Sequence, residues 1–226
     1  GFGRERDAAR LEGSKAFTKD FLARHGIPSA DYASFTERDA ALARVREKGA
    51  PLVIKADGLA SGKGVVVART QQEAEAAVRD MLSGEAFGEA GERIVIEDFL
   101  EGEEASFIVM ADGEQVLSLA TSQDHKPVGD GDTGSNTGGM GAYSPAPVVT
   151  EKVRQRILDE IIHPTIRGMT ADGSPYTGFL YAGLMISPDG APRVIEFNCR
   201  LGDPETQPLL MRLRSDLVEH CLAALD

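Results

Sequence analysis

The stretch that most constrains this chain is Arg193-Val-Ile-Glu-Phe-Asn-Cys-Arg-Leu-Gly-Asp-Pro-Glu205. Val194, Ile195 and Phe197 favour a strand, and Glu196 and Asn198 stand two residues apart. Alternate residues of a strand share a face, so the Glu196 carboxylate and the Asn198 amide oxygen leave the same side, with Cα atoms about 6.7 Å apart. Hard oxygen donors so spaced suit Mg²⁺, which takes one or two protein ligands and completes its shell with water and phosphate. Two such ions would lie roughly 3.5–4 Å apart, a gap this pair could bridge. The plainer alternative is an amphipathic strand with its polar face in water. Arg200, Asp203 and Glu205 follow at once, and Gly202-Asp-Pro204 stops the strand. Charge crowded at a strand's end favours a site.

A second feature lies upstream. Leu52-Val-Ile-Lys-Ala-Asp-Gly58, Leu59-Ala-Ser-Gly-Lys-Gly64 and Val65-Val-Val-Ala68 read as strand, glycine-rich loop and strand. Lys55 interrupts an apolar strand, where an unpaired ammonium is costly, so it either snorkels to water or meets an anion. Gly58, Gly62 and Gly64 let backbone approach a phosphate, and Lys63 adds charge. This is not a Walker A loop, because the spacing is one residue short and Gly64 replaces the Ser/Thr that would hold Mg²⁺. A flexible surface turn is the competing reading.

The remaining elements follow from caps and periodicity. Ser14 caps a helix carrying Phe17, Phe21 and Leu22, with Lys15 in its first turn. Thr36, with Asp39 three residues on, predicts a second cap, and Thr70 with Glu73 a third. Arg93–Leu100 reads as a strand running into Glu101-Gly-Glu-Glu104, with a backbone edge free to pair with an adenine and Glu104 placed for ribose hydroxyls. Ala105–Ala120 reads as two strands about Asp112-Gly113. Ser122–Pro147 shows neither period and reads as a long glycine-rich loop of the functional kind. Thr150 caps a helix that Pro164 bends or ends. Gly178–Ile186 is a strand, and Asp203-Pro204 opens a single last helix running through Leu217 and Leu222.

Composition narrows the function. With 226 residues, one or two domains are expected. A net charge of −12 argues against a nucleic-acid partner, since no basic stripe is present to neutralise phosphates, yet ATP needs only a few local cations. Cys199 and Cys221 form no C-x-x-C, which fits a reducing cytoplasm better than a zinc site or disulfide framework. No apolar run reaches transmembrane length. No Ser/His/Asp constellation supports a hydrolase triad. A cytoplasmic monomer without nucleic-acid or membrane partners is expected.

Five blocks occur in an order that resembles a known family: Ile54–Val65, Glu97-x-Phe-Leu-x-Gly-x-Glu104, Gln123-Asp-His-Lys126, Asn136-Thr-Gly-Gly-Met-Gly-Ala-Tyr-Ser-Pro145 and Glu196–Glu205. Together they resemble the ATP-grasp part of glycinamide ribonucleotide synthetase, the phosphoribosylamine–glycine ligase of purine biosynthesis, from about Leu11 to the end. Ser135 departs from the proline expected before Asn-Thr-Gly-Gly. The family also carries an α/β domain before this region and a further domain after it, so these residues are expected to be the ATP-grasp portion alone.

The resemblance implies an α+β ATP-grasp fold. Residues 1–33 would supply a lead-in helix, 34–100 a hairpin–helix lid and 101–226 a metal- and substrate-binding unit on an antiparallel sheet. It implies ligation through glycyl phosphate, with ATP as co-substrate, Mg²⁺ (or Mn²⁺) as cofactor, and glycine and 5-phosphoribosylamine as substrates. By the same resemblance, Lys15, Lys55, Gly58, Ser61, Gly62, Lys63 and Gly64 hold ATP phosphates. Glu97 and the Leu100 backbone contact adenine, Glu104 the ribose, and Glu196 and Asn198 the metal. Arg200 and Lys55 serve catalysis. Asp124, Lys126, Asn136, Thr137, Gly138, Gly139, Arg200, Asp203 and Glu205 face substrate. The alternatives are a nucleotide-binding module without full ligase activity, or a sister ligase acting on another carboxylate.

Overall fold

A computed structural model describes residues 8–58, 64–84, 91–131 and 133–225. Two four-stranded antiparallel sheets organise it. The first is ordered β1 (Tyr32–Phe35), β4 (Ile94–Asp98), β2 (Leu52–Ala56), β3 (Val65–Ala68). The second is ordered β10 (Pro192–Asn198), β9 (Thr177–Ile186), β5 (Glu103–Asp112), β6 (Val116–Ser118).

The first sheet is covered by α3 (Arg38–Lys48) and α4 (Gln71–Met81), whose Leu42, Val45, Val78 and Met81 pack on Ile54, Ile94 and Ile96. The second is covered by α2 (Lys15–Arg24) and a helix running from α5 (Glu151–Ile157) to α6 (His163–Ala171). Between the two lies a π turn at Leu158–Ile162, just before Pro164. Proline has no N–H to give and its ring crowds the carbonyl four residues back. The wider turn relieves that clash, so the helix runs on instead of ending at Pro164.

The predicted caps fare unequally. Ser14 accepts the Phe17 N–H, and Thr70 and Glu73 form a reciprocal capping box. The Thr36 cap is not made. Its helix starts at Arg38 with Glu37 at the cap position and no side-chain bond. The single last helix is two pieces, α7 (Thr206–Arg212) and α8 (Leu217–Ala223), the second capped by Asp216. Asp203-Pro204 precedes α7 instead of capping it.

The largest correction falls on Ser122–Pro147. It is a two-stranded hairpin, β7 (Gln123–Gly129) with β8 (Thr133–Tyr143), with register shifts between His125 and Gly129. A glycine-rich sequence with irregular pairing shows no period of two, so nothing local announces the strands. At its edge, Gly139 sits at φ 132°, and a Cβ there would stand 2.5 Å from Pro204 Cδ. Glycine at this position lets the hairpin lie against the turn that follows β10.

Candidate nucleotide site

The two sheets meet through side chains in the strands. Lys55 Nζ donates to the Ile195 carbonyl across the junction at 3.0 Å, and pairs with Glu97 Oε1 at 2.9 Å. The anion that Lys55 meets is thus a neighbour in its own sheet. Glu97 Oε2 lies 3.4 Å from Lys19 Nζ, and all three side chains are at most 6% exposed. Lys19 was not singled out from sequence, where it reads as one more polar residue on a helix. Its ammonium also donates to Ser29 Oγ (2.6 Å) and the Ala30 carbonyl (2.9 Å).

The glycine-rich loop is tied at its start. Asp57 Oδ1 accepts from Ser14 Oγ (2.9 Å) and the Ala16 N–H (2.7 Å), adding a second acceptor at the start of α2. Lys15 Nζ donates to the Gly58 carbonyl at 3.0 Å. Burial lowers the Lys15 pKa, opposed by Glu196 and reinforced by Lys55. Ser61, Gly62 and Lys63 lie outside the described residues. Gly64 lies on the wall of a cavity of about 140 Å³, together with Lys15, Lys19 and Lys55.

A larger cavity of about 310 Å³ lies between the sheets. Its wall includes the apolar side chains of Val53, Val67, Phe99, Leu100, Met185 and Ile195. The same wall carries the polar side chains of Glu104, Asp124, Lys126, Thr137, Glu196, Asn198, Arg200, Asp203 and Glu205. A concave wall of apolar side chains with a few convergent polar groups is the usual form of a small-molecule site.

Glu196 and Asn198 keep the same-face relation read from sequence. They pair with Gly183 and Tyr181, two residues apart on β9, and the bulge falls before Glu196. Gly183 leaves room for Glu196, whose Cγ would stand 3.1 Å from a Cβ there. Asn198 Oδ1 accepts from Arg200 Nη2 at 3.3 Å. Lys126 Nζ stands 3.4 Å from Glu104, 3.8 Å from Glu196 and 3.9 Å from Asp124. Burial pulls the Lys126 ammonium down, but Glu196 and Glu104, with Asp124, outweigh it and raise its pKa. Burial raises the Asp124 carboxyl, opposed by Lys126.

Several expected roles shift on inspection. Glu97 lies in the cavity wall, but its carboxylate is engaged by two lysines, and its backbone is paired on both sides, with Tyr32 and Val53. No strand edge is open there. β4 ends at Asp98, and Leu100 lies in the segment beyond it. Glu205 is 2% exposed and accepts from Ser106 Oγ at 2.9 Å, so Tyr181, 3.0 Å from Ser106 Oγ, supplies the proton of that next bond. It shapes the floor of the cavity. Thr137 Oγ1 donates to the Lys126 carbonyl and accepts the Gly139 N–H, tying β8 to β7. Asn136 pairs with Pro127, and Gly138 lies between Thr137 and Gly139 on β8.

Arg200 has an anchor that sequence reading missed. Its Nε donates to Glu12 Oε1 at 3.1 Å, while Glu12 Oε2 accepts the Cys199 N–H at 3.0 Å. Glu12 sits on α1 (Arg10–Gly13), nearly 190 positions away in sequence, so no local signal links the two.

Two antiparallel sheets closing on a lysine-lined cavity define the ATP-grasp class. A biotin carboxylase from Campylobacter jejuni superposes with a TM-score of 0.75 over 99% of this chain and 48% of that one, at 22% identity, which speaks for the fold alone. The chain belongs to the phosphoribosylglycinamide synthetase family, whose ATP-grasp (A) domain model matches residues 13–206. A phosphoribosylamine–glycine ligase of Yersinia pestis is 75% identical over 222 residues, 98% of this chain. One from Escherichia coli is 72% identical over 225 residues. The solved phosphoribosylamine–glycine ligase of Thermotoga maritima superposes with a TM-score of 0.88 at 37% identity, covering 99% of this chain and 56% of that one. The chain spans about half the length of the curated relatives it matches, 52% in both cases.

Proposed function

We propose that this chain binds Mg-ATP and carries the nucleotide half of a phosphoribosylamine–glycine ligase, joining glycine to 5-phosphoribosylamine through glycyl phosphate. The observation that carries this reading is one cavity whose wall, drawn from both sheets, combines apolar side chains with a lysine and oxygen-donor set. Val53, Val67, Met185 and Ile195 offer apolar contact to adenine, and the Leu100 backbone, two residues past the end of β4, offers it a polar partner. Glu104 is placed for ribose. Lys15 and Lys55 face the phosphates, with Gly58 and Gly64, the described ends of the glycine-rich stretch, beside them in the 34–100 lid.

The Glu196 carboxylate and Asn198 amide oxygen fit Mg²⁺ or Mn²⁺, which prefer oxygen donors and accept few protein ligands. Among the described residues no cluster of three or more His, Cys, Asp or Glu competes for a metal. The ion would supply charge neutralisation at the phosphates. Phosphoryl transfer needs positioning and charge neutralisation more than covalent chemistry. Arg200, held by Glu12, then faces the charge that grows on the acyl phosphate. Asp124, Lys126 and the Asn136–Gly139 segment face the acceptor amine. The names of the relatives support these substrates over those of a sister ligase.

The test is calorimetric titration of Mg-ATP into the wild type and Glu196→Gln. The expected result is clear binding by the first and much weaker binding by the second, with ligand-free melting temperatures alike. Equal affinities would overturn the metal assignment, and no binding by the wild type would overturn the nucleotide reading itself.

A further inference from the structure

The buried Lys19–Glu97–Lys55 triad holds two cations for one anion, and Lys19 has no part in the function proposed above. Its three ammonium hydrogens have three acceptors in Ser29 Oγ, the Ala30 carbonyl and Glu97 Oε2. Lys19 therefore has no donor left for a ligand. Lys55 gives one hydrogen to Glu97 and one to the Ile195 carbonyl, which leaves its third for the cavities it lines. The charge count is then decisive. Lys55 and Glu97 alone are a neutral pair and draw a phosphate only at short range. With Lys19 on the other carboxylate oxygen, the cluster carries one net positive charge in a place shielded from water and salt.

We propose that Lys19 is a positioning residue for the nucleotide phosphates: it occupies one oxygen of Glu97, so that Lys55 presents an unneutralised charge to the cavity. The inference rests on the nucleotide reading above and deepens it. A structural staple alone would hold α2 to β4 whatever its charge. A charge-sharing residue must act on the phosphates and leave the nucleoside untouched.

The experiment measures Mg-ATP and adenosine affinity at pH 7 for the wild type, Lys19→Met, Lys19→Arg and the double variant Lys19→Met/Glu97→Gln. Methionine keeps the length and apolar stem of lysine. The expected result for Lys19→Met is roughly tenfold weaker Mg-ATP binding, from loss of one nearby buried charge, with adenosine affinity unchanged. Lys19→Arg recovers most of the loss. The double variant restores the net charge of one, and its Mg-ATP affinity lies between those of Lys19→Met and the wild type. Equal losses for ATP and adenosine, or a double variant no better than Lys19→Met, would overturn the proposal. Should Lys19→Met fail to fold, the double variant and Lys19→Arg decide the matter. Absence of Mg-ATP binding by the wild type would instead fail the nucleotide reading.

Discussion

Glu12 holds two donors at the far end of β10, the Cys199 N–H and Arg200 Nε. Replacing it by alanine leaves both without that acceptor beside the strand proposed to hold the metal. An orphaned hydrogen bond of this kind costs about 1–3 kcal/mol. Glu12→Ala is therefore expected to lower the unfolding free energy by that much, read as a lower urea midpoint, and to weaken Mg-ATP binding, while Glu12→Gln keeps one acceptor and loses less. A variant with unchanged midpoint would show that the turn is held elsewhere. Gly139→Ala is a second residue-scale test. Its φ of 132° and the 2.5 Å approach to Pro204 both oppose a methyl group, and a loss of about 1–3 kcal/mol is expected in the same melts. Residues like Ser14 and Thr70 were legible because a cap and its donor lie within three positions. Glu12, Lys19 and Asp57 were not, because their partners lie 10 to 188 positions away and no periodicity records them.

Among the elements, α2 and β4 carry a pH signature. Burial of Lys19, opposed by Glu97 and reinforced by Lys55, brings its pKa from 10.5 down to about 8. Between those values the unfolded chain binds more protons than the folded one, so stability rises with pH across that window. Burial raises Tyr32 to about 12, which works in the opposite sense only above the ordinary tyrosine pKa of 10. The clean interval is thus pH 8 to 10. Chemical melts should show the wild type gaining stability there, with a smaller gain in Lys19→Met, where lowered Lys15 remains. Parallel curves for the two proteins would count against a depressed Lys19. Apolar runs bounded by turn signals, such as β5 and β9, and a helical period, as in α4, could be read from sequence. The β7–β8 hairpin could not, since its glycines and shifted register erase the alternation that marks a strand. The α7–α8 break was hidden because Leu209, Leu217 and Leu222 continue an apolar pattern across it.

For the whole molecule, the cavity wall is drawn from both sheets, and that decides what the chain does by itself. Its apolar residues include Val53, Val67 and Phe99 from one side and Met185 and Ile195 from the other, with Lys55 bonded to Ile195 across the junction. A ligand in that cavity contacts both cores and binds only when both are folded. At a hundred times its dissociation constant it adds about 2.7 kcal/mol, a shift of roughly 5–10 °C in the melting temperature for a chain of this length. Mg-ATP is therefore expected to raise the melting temperature of the 226-residue chain, and adenosine to raise it less. Turnover is another matter. Its acceptor carries a remote phosphate, and energy from such a group helps orient the reacting amine. The described cations at the two cavities, Lys15, Lys19, Lys55, Lys126 and Arg200, each already have a partner within the chain. We therefore expect this chain to form glycinamide ribonucleotide more slowly than a relative of full length does, although it binds Mg-ATP. The assay follows product from ATP, glycine and freshly generated phosphoribosylamine beside a thermal-shift titration. Turnover equal to that of the Escherichia coli relative would show that the described residues suffice for the acceptor as well.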